Sequence, residues 1–161
     1  MGGSQLRFER GIDLPRPIVW DALVDADLVS GWLAEASVDP RVGGRYDLQW
    51  RRGGALTDST GTIELMSEPD LLRVDTSALG RITFSLAEVS GGTRDTQTLL
   101  TVTVEVDTDP RFAAVSRAHW LCNLDQLQDL LRGHPVDWDS WEADYGAAWE
   151  RHWDEVSGIA R

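Results

Sequence analysis

The three histidines and one cysteine of this 161-residue chain are the side chains with the most varied chemistry, and their spacing brings none of them together. Zinc-dependent hydrolysis needs three or four ligands converging on one ion, and His119, His134, His152 and Cys122 stand at separations that fit no ligand motif. His119 adjoins Trp120, about 100 degrees round a helix from it, and is expected on a flank or at the surface. His134 and His152 are expected in solvent. There is no Gly-x-Ser-x-Gly elbow and no glycine-rich loop opening a helix, so acyl transfer and nucleotide binding lack their usual geometry. All 15 basic residues are arginine, which removes a Schiff-base lysine, a lysine general base and a phosphate-loop lysine together. Asp25 with Asp27, and Asp137 with Asp139, read as helix-start acids rather than as an acid–base couple. No catalytic set, metal site or cofactor is expected. A cyclase- or hydrolase-like enzyme stays open only through Arg10 or Tyr46.

Charge narrows the partners. A net charge of −12 argues against nucleic acid and against anionic membrane surfaces, because both begin with cation density. No apolar run approaches the roughly 20 residues of a membrane span, and MGGSQLRFERG has neither a signal-peptide core nor a myristoylation pattern. Cys122 has no disulfide partner and reads as a small helical filler, which favours a reducing interior and a cytoplasmic protein.

Any site must be positioned by the stretch from Asp109 to Gly133, which predicts one long helix. Asp109 suits the cap, Pro110 the first helical position, and Gly133 with Pro135 the end. Trp120, Leu124, Leu127 and Leu131 recur at steps of four, three and four, a stripe that a sheet must cover. The two-residue period from Gln5 to Leu14 predicts a strand, with Arg10 on its apolar face either packing its stem or sitting inside a pocket. Two short helices follow, around Val19-Trp20-Leu23 and from Ala26 to about Leu33. Strands are expected at Ala36 to Asp39, through Tyr46-Leu48-Trp50, over GTIELMS and LLRVDT, from Arg81 to Glu88 and from Arg94 to Val106. Gly53-Gly54 and the polar run to Ser59 are expected as a turn. Short turns between strands make a continuous curved antiparallel sheet, leaving a space between its concave face and the long helix, where small ligands bind.

These residues carry a family resemblance. PRPIVWDALVDADLVSGWL, DPRVGGRYDLQW, GTIELMSEPDLLRV and HWLCNLDQLQDLL, in that order over residues 5–132, resemble the bacterial AHSA-type proteins, homologues of the activator of the heat-shock protein 90 ATPase. That family lies within the START-related, birch-pollen-allergen-like SRPBCC superfamily. The resemblance implies an α+β helix-grip fold: a curved antiparallel sheet of about seven strands wrapped on one long C-terminal helix, with two short helices after the first strand. It carries no universal catalytic set, since such scaffolds host lipid carriers, cyclases, resistance proteins and chaperone activators. What it implies is a cavity faced by Trp32, Tyr46, Leu48, Trp50, Ile63, Phe84 and Trp120, with Asn123 and Arg10 as polar contacts. For each aromatic residue, plain core packing is the competing reading.

The helix-grip domain is thus expected over residues 1–133, with 134–161 as a tail. There Trp138, Trp141, Tyr145, Trp149 and Trp153 recur at three, four, four and four, an aromatic helical stripe against acidic neighbours. Such a stripe either folds back over its own domain or packs on a second copy as a homodimer. The leading expectation is a non-catalytic binder of a small hydrophobic or aromatic molecule. The alternatives are a protein-interaction or chaperone-activator-like module working through the tail, and the enzyme above.

Overall fold

Alternation in Gly3–Ile12 (β1) buries Leu6, Phe8 and Ile12, and the strand stops two residues short of Leu14, just before the prolines. Pro15 caps α1 (Arg16–Val24), Pro17 lies in its first turn, and the helix buries Val19, Trp20, Ala22 and Leu23. The Asp25 carboxylate accepts the Asp27 N–H at 2.9 Å and starts α2 (Ala26–Val29), a single turn that continues through Ser30 to Leu33 as tight turns. The computed structural model describes residues 3–52, 55–107 and 110–157; Gly53-Gly54 and the Asp109 cap lie outside them.

The remaining strands are β2 (Glu35–Val38), β3 (Tyr46–Arg52), β4 (Ala55–Ser59), β5 (Gly61–Ser67), β6 (Leu71–Thr76), β7 (Gly80–Ser90) and β8 (Thr96–Asp107). Two expectations are corrected. The polar run to Ser59 is not a turn: it pairs antiparallel with β3, opposing Leu48 to Ser59 and Trp50 to Thr57, because an edge strand needs backbone pairing more than apolar side chains. The sheet is also divided, into five strands ordered β1-β8-β7-β6-β5 and three ordered β2-β3-β4. The two meet where the Gly43 N–H donates to Ile63 O at 2.8 Å and the Ile63 N–H to Gly44 O at 2.9 Å. A Cβ on Gly44 would stand 2.1 Å from Asp39 O, so this junction requires glycine.

Register explains the inner face. Phe8, Val102, Phe84 and Leu72 align in one row across β1, β8, β7 and β6, and Leu6, Val104, Ile82, Val74 and Ile63 align in another. Over these rows lies α3 (Pro110–Leu131), burying Trp120, Leu124 and Leu127. Gly133, at φ +91°, closes the helix with its N–H on Leu130 O, and His134 N–H bonds Asp129 O. The chain then runs past the α2–β2 corner, makes a 3-10 turn at Trp138–Ser140 and forms α4 (Trp141–Ser157).

Candidate functional site

Four rings from four parts of the chain meet between sheet and α3. Trp32, Phe84 and Trp120 have centroids 6.5, 6.5 and 6.3 Å apart, and Phe8 lies 6.5 Å from Trp120. Such separations belong to rings in tilted or edge-on contact. Trp32 and Phe84 are fully buried and Trp120 nearly so. The structure thus brings together three of the residues expected around a cavity and packs them against one another. Phe8 joins them unforeseen, although the alternation of β1 already pointed it inward.

The other expected residues divide by what holds their polar atoms. Trp32 Nε1 donates to Ala22 O at 2.7 Å, the Tyr46 hydroxyl to Leu23 O at 2.7 Å, and Trp50 Nε1 to Leu33 O at 3.0 Å. The first bond joins the two short-helix arms and the other two tie them to β3, and the ring faces keep only apolar surface to offer. Burial pushes the Tyr46 phenol well above the ordinary tyrosine range, so it stays protonated. Leu48, Ile63 and Asn123 are buried, and Trp50 is half-buried.

Arg10 does not enter the ring cluster; its side chain stays partly exposed. Its guanidinium donates to Asp125 Oδ1 at 3.0 Å, Gln128 Oε1 at 2.6 Å and Leu121 O at 3.4 Å, all on α3. Both polar groups on which an enzyme reading depended are therefore bonded into the frame. Leu48 also lines an open groove of about 410 Å³ on the three-stranded sheet, beside Glu35, Asp47 and Asp58. Three carboxylates there suit an apolar ligand poorly. Among the described residues no group of three His, Cys, Asp or Glu side chains is arranged to hold a metal, and no helix is long and apolar enough to cross a membrane.

The tail stripe lies on the outer side of α3. Trp138 Nε1 donates to Ser30 O at 2.7 Å, Trp141 Nε1 to Gln126 Oε1 at 2.7 Å, the Tyr145 hydroxyl to Asp129 Oδ2 at 2.7 Å and Trp149 Nε1 to His119 Nδ1 at 3.1 Å. Trp149 and Trp153 stack at 6.1 Å, and His152 Nε2 meets Asp125 Oδ2 at 2.7 Å. His119, expected on a flank or at the surface, lies on the tail-facing flank of α3, whereas His152, expected in solvent, is held in the same seam, because a tail indole and an α3 carboxylate supply their partners. Tyr145 titrates above its ordinary range, chiefly through burial and then through its bond to Asp129. Val136 N–H bonds Gly31 O at 2.8 Å, and a Cβ on Gly31 would stand 2.8 Å from Leu130 Cδ1 and 3.2 Å from Pro135 Cβ, so the tail's approach depends on that glycine. Missed from the sequence was the stripe His119, Cys122, Gln126 and Asp129, whose steps of three, four and three are helical but whose polar members carry no hydrophobic period.

A family model described as Activator of Hsp90 ATPase homolog 1-like protein matches residues 13–132. No curated protein matches the chain. Among solved structures, protein BPP1335 from Bordetella parapertussis is similar at 20% identity and TM-score 0.70, over 97% of this chain and 86% of that one. Protein NE0264 from Nitrosomonas europaea is similar at 20% identity and TM-score 0.69, over 80% and 94%. CalU16 from Micromonospora echinospora is similar at 22% identity and TM-score 0.63, over 92% and 88%. At these identities the structures speak for the fold, and the family match covers most of the residues that build it. With its helix-grip arrangement of sheet and long helix, the chain belongs to the Activator of Hsp90 ATPase homolog 1-like family.

Proposed function

We propose that the protein binds a small hydrophobic or aromatic molecule between sheet and α3, on the cluster of Phe8, Trp32, Phe84 and Trp120, without transforming it. The observation that carries this reading is the cluster's chemistry. Four rings converge from β1, the α2–β2 corner, β7 and α3, and the indole and phenol groups near them are spent on backbone carbonyls. What remains is aromatic surface, suited to stacking an apolar ligand and to no proton transfer. Because the rings touch, ligand entry involves their separation by a movement of α3 relative to the sheet. Leu48, Trp50, Ile63 and Asn123 form the surround, and Arg10 anchors α3 beside it.

The engagement of the tail stripe within its own chain weighs against the interaction-module and homodimer readings, which need that stripe free. A buried thiol without a disulfide partner favours a reducing environment, and a cytoplasmic binder is part of this reading. The test is native mass spectrometry of gently purified protein, followed by titration with the neutral aromatic dye N-phenyl-1-naphthylamine. A molecule retained near one per chain, or saturable dye binding weakened in Trp120→Phe, supports the reading. An empty chain that leaves the dye dark overturns it.

A further inference from the structure

Gln126 is fully buried and bonded toward both sides of α3. Its Nε2 donates to the Trp32 carbonyl at 2.6 Å, while its Oε1 accepts the Trp141 indole N–H at 2.7 Å and the Cys122 thiol at 3.5 Å. One residue earlier, Asp125 repeats the arrangement: Oδ1 takes Arg10 from β1 and Oδ2 meets His152 from α4. Two adjacent side chains therefore each hold the tail with one atom and the body of the domain with another. The Gln126 link ends on the backbone of Trp32, a member of the ring cluster.

We infer that α4 acts as a regulatory arm of the aromatic site, its docking coupled through Gln126 to the position of Trp32, so that tail docking and ligand occupancy bias each other. This rests on the aromatic-site reading above. When α4 lifts, Gln126 Oε1 keeps only a weak thiol donor, and an amide left short of partners in a buried setting turns or hydrates. Its bond to the Trp32 carbonyl loosens with it, because both belong to one side-chain group. A ligand that separates Trp32 from its neighbouring rings pulls on the same amide from the other end, and linkage makes the two effects reciprocal. Gln126 is a positioning residue: it acts on the site through Trp32.

The test uses the full chain and hydrogen exchange, in wild type, Trp141→Phe, Gln126→Met and the double variant. Trp141→Phe keeps a ring and removes the N–H; Gln126→Met keeps the length and removes the amide. Trp138 and Val136, which touch Ser30 and Gly31 directly, are unchanged in all of them. Each single variant is expected to speed exchange in residues 29–38 about fivefold, and the double variant no further than either single. Additive effects, or a Trp141→Phe chain with unchanged exchange at 29–38, overturn the relay. A second measurement adds N-phenyl-1-naphthylamine and reads α4. Saturating dye should change α4 exchange about fivefold in wild type and leave it unchanged in Gln126→Met that still binds dye. Dye that binds wild type without affecting α4 overturns the coupling while sparing the binding site; wild type that carries no retained molecule and fails to bind dye overturns the binding-site reading and the regulatory role together. Should Gln126→Met fail to fold, Trp141→Phe with the dye measurement decides alone.

Discussion

The hydroxyl of Tyr46 on β3 donates to the carbonyl of Leu23, the next-to-last residue of α1, at 2.7 Å with the phenol fully buried. One hydrogen bond thus ties the α1–α2 bracket to the small sheet. Tyr46→Phe keeps the ring and leaves the Leu23 carbonyl short of a donor, which is expected to cost about 1–3 kcal/mol in urea unfolding. The pH dependence has a definite sign. Burial raises the folded-state titration of Tyr46 above its ordinary value of 10.0, so the folded chain holds the phenolic proton longer than the unfolded chain. Its contribution is complete below about pH 10 and is lost as the pH rises toward the folded value. Stability of the wild type should fall more steeply above that pH than stability of Tyr46→Phe. Equal alkaline slopes would refute the assignment.

An acid-side counterpart lies just beyond the end of β1. The Asp13 carboxylate accepts the Thr93 N–H at 3.1 Å and the Thr93 hydroxyl at 2.8 Å, tying the end of β1 to the β7–β8 turn. Chiefly because of that hydroxyl, the Asp13 carboxyl titrates below the ordinary 3.8. This contribution is present above the unfolded value and lost as the pH falls through the lowered folded one. In Thr93→Val, carboxyl titration followed by NMR should place Asp13 closer to its ordinary value. An unchanged Asp13 titration would show that the Thr93 backbone N–H and the Arg94 charge lower it without the hydroxyl.

Apolar period carried most of the architecture in advance: β1, the strand through Tyr46, Leu48 and Trp50, β8 and the long helix all lie where their alternation or their steps of three and four place them. What lacked that period was not legible. β4 is joined to β3 through backbone pairing and has no apolar pattern of its own, so it read as a turn. The tail's aromatic stripe was plain, but its seat was hidden, because His119, Gln126 and Asp129 recognise it by hydrogen bonds and Cys122 by packing against Trp141. The rings of the candidate site were legible as buried residues. Whether they line a space or fill one was not, since both uses require the same apolar side chains at the same spacing.

Asp125 offers the most direct probe of how tail and domain are joined. It bonds Arg10 through Oδ1 at 3.0 Å and His152 through Oδ2 at 2.7 Å, with its side chain about one-third exposed. Solvent screening and the further acceptors of Arg10, Gln128 Oε1 and Leu121 O, keep the expected cost of Asp125→Ala near 1 kcal/mol. The informative quantity is the coupling between Arg10→Ala and His152→Ala in a double-mutant cycle. A shared carboxylate predicts that the two losses are not additive. Strict additivity would mean that the strand and the tail are held independently.

Trp141 covers Cys122, and this makes the seating of the tail chemically readable. Cys122 is 1% exposed and Trp141 6% exposed, and the two pack together with Val136 in a small cluster apart from the main core. Trp141→Ala removes the indole from that cluster and its N–H from Gln126, a truncation expected to cost about 3–5 kcal/mol where the whole fold feels it. The main core of Trp20, Trp32, Phe84 and Trp120 lies on the other side of α3 and does not include Trp141. The loss should therefore fall on the docking of α4 while the sheet and α3 stay folded. Reaction of Cys122 with a disulfide reagent such as 5,5′-dithiobis(2-nitrobenzoate) should accelerate at least tenfold in the variant, with far-UV circular dichroism nearly unchanged; tenfold corresponds to about 1.4 kcal/mol in the opening equilibrium. A thiol that stays as slow as in wild type would mean that something other than α4 shields it. A thiol exposed together with loss of the sheet signal would mean that the tail is an integral part of the core.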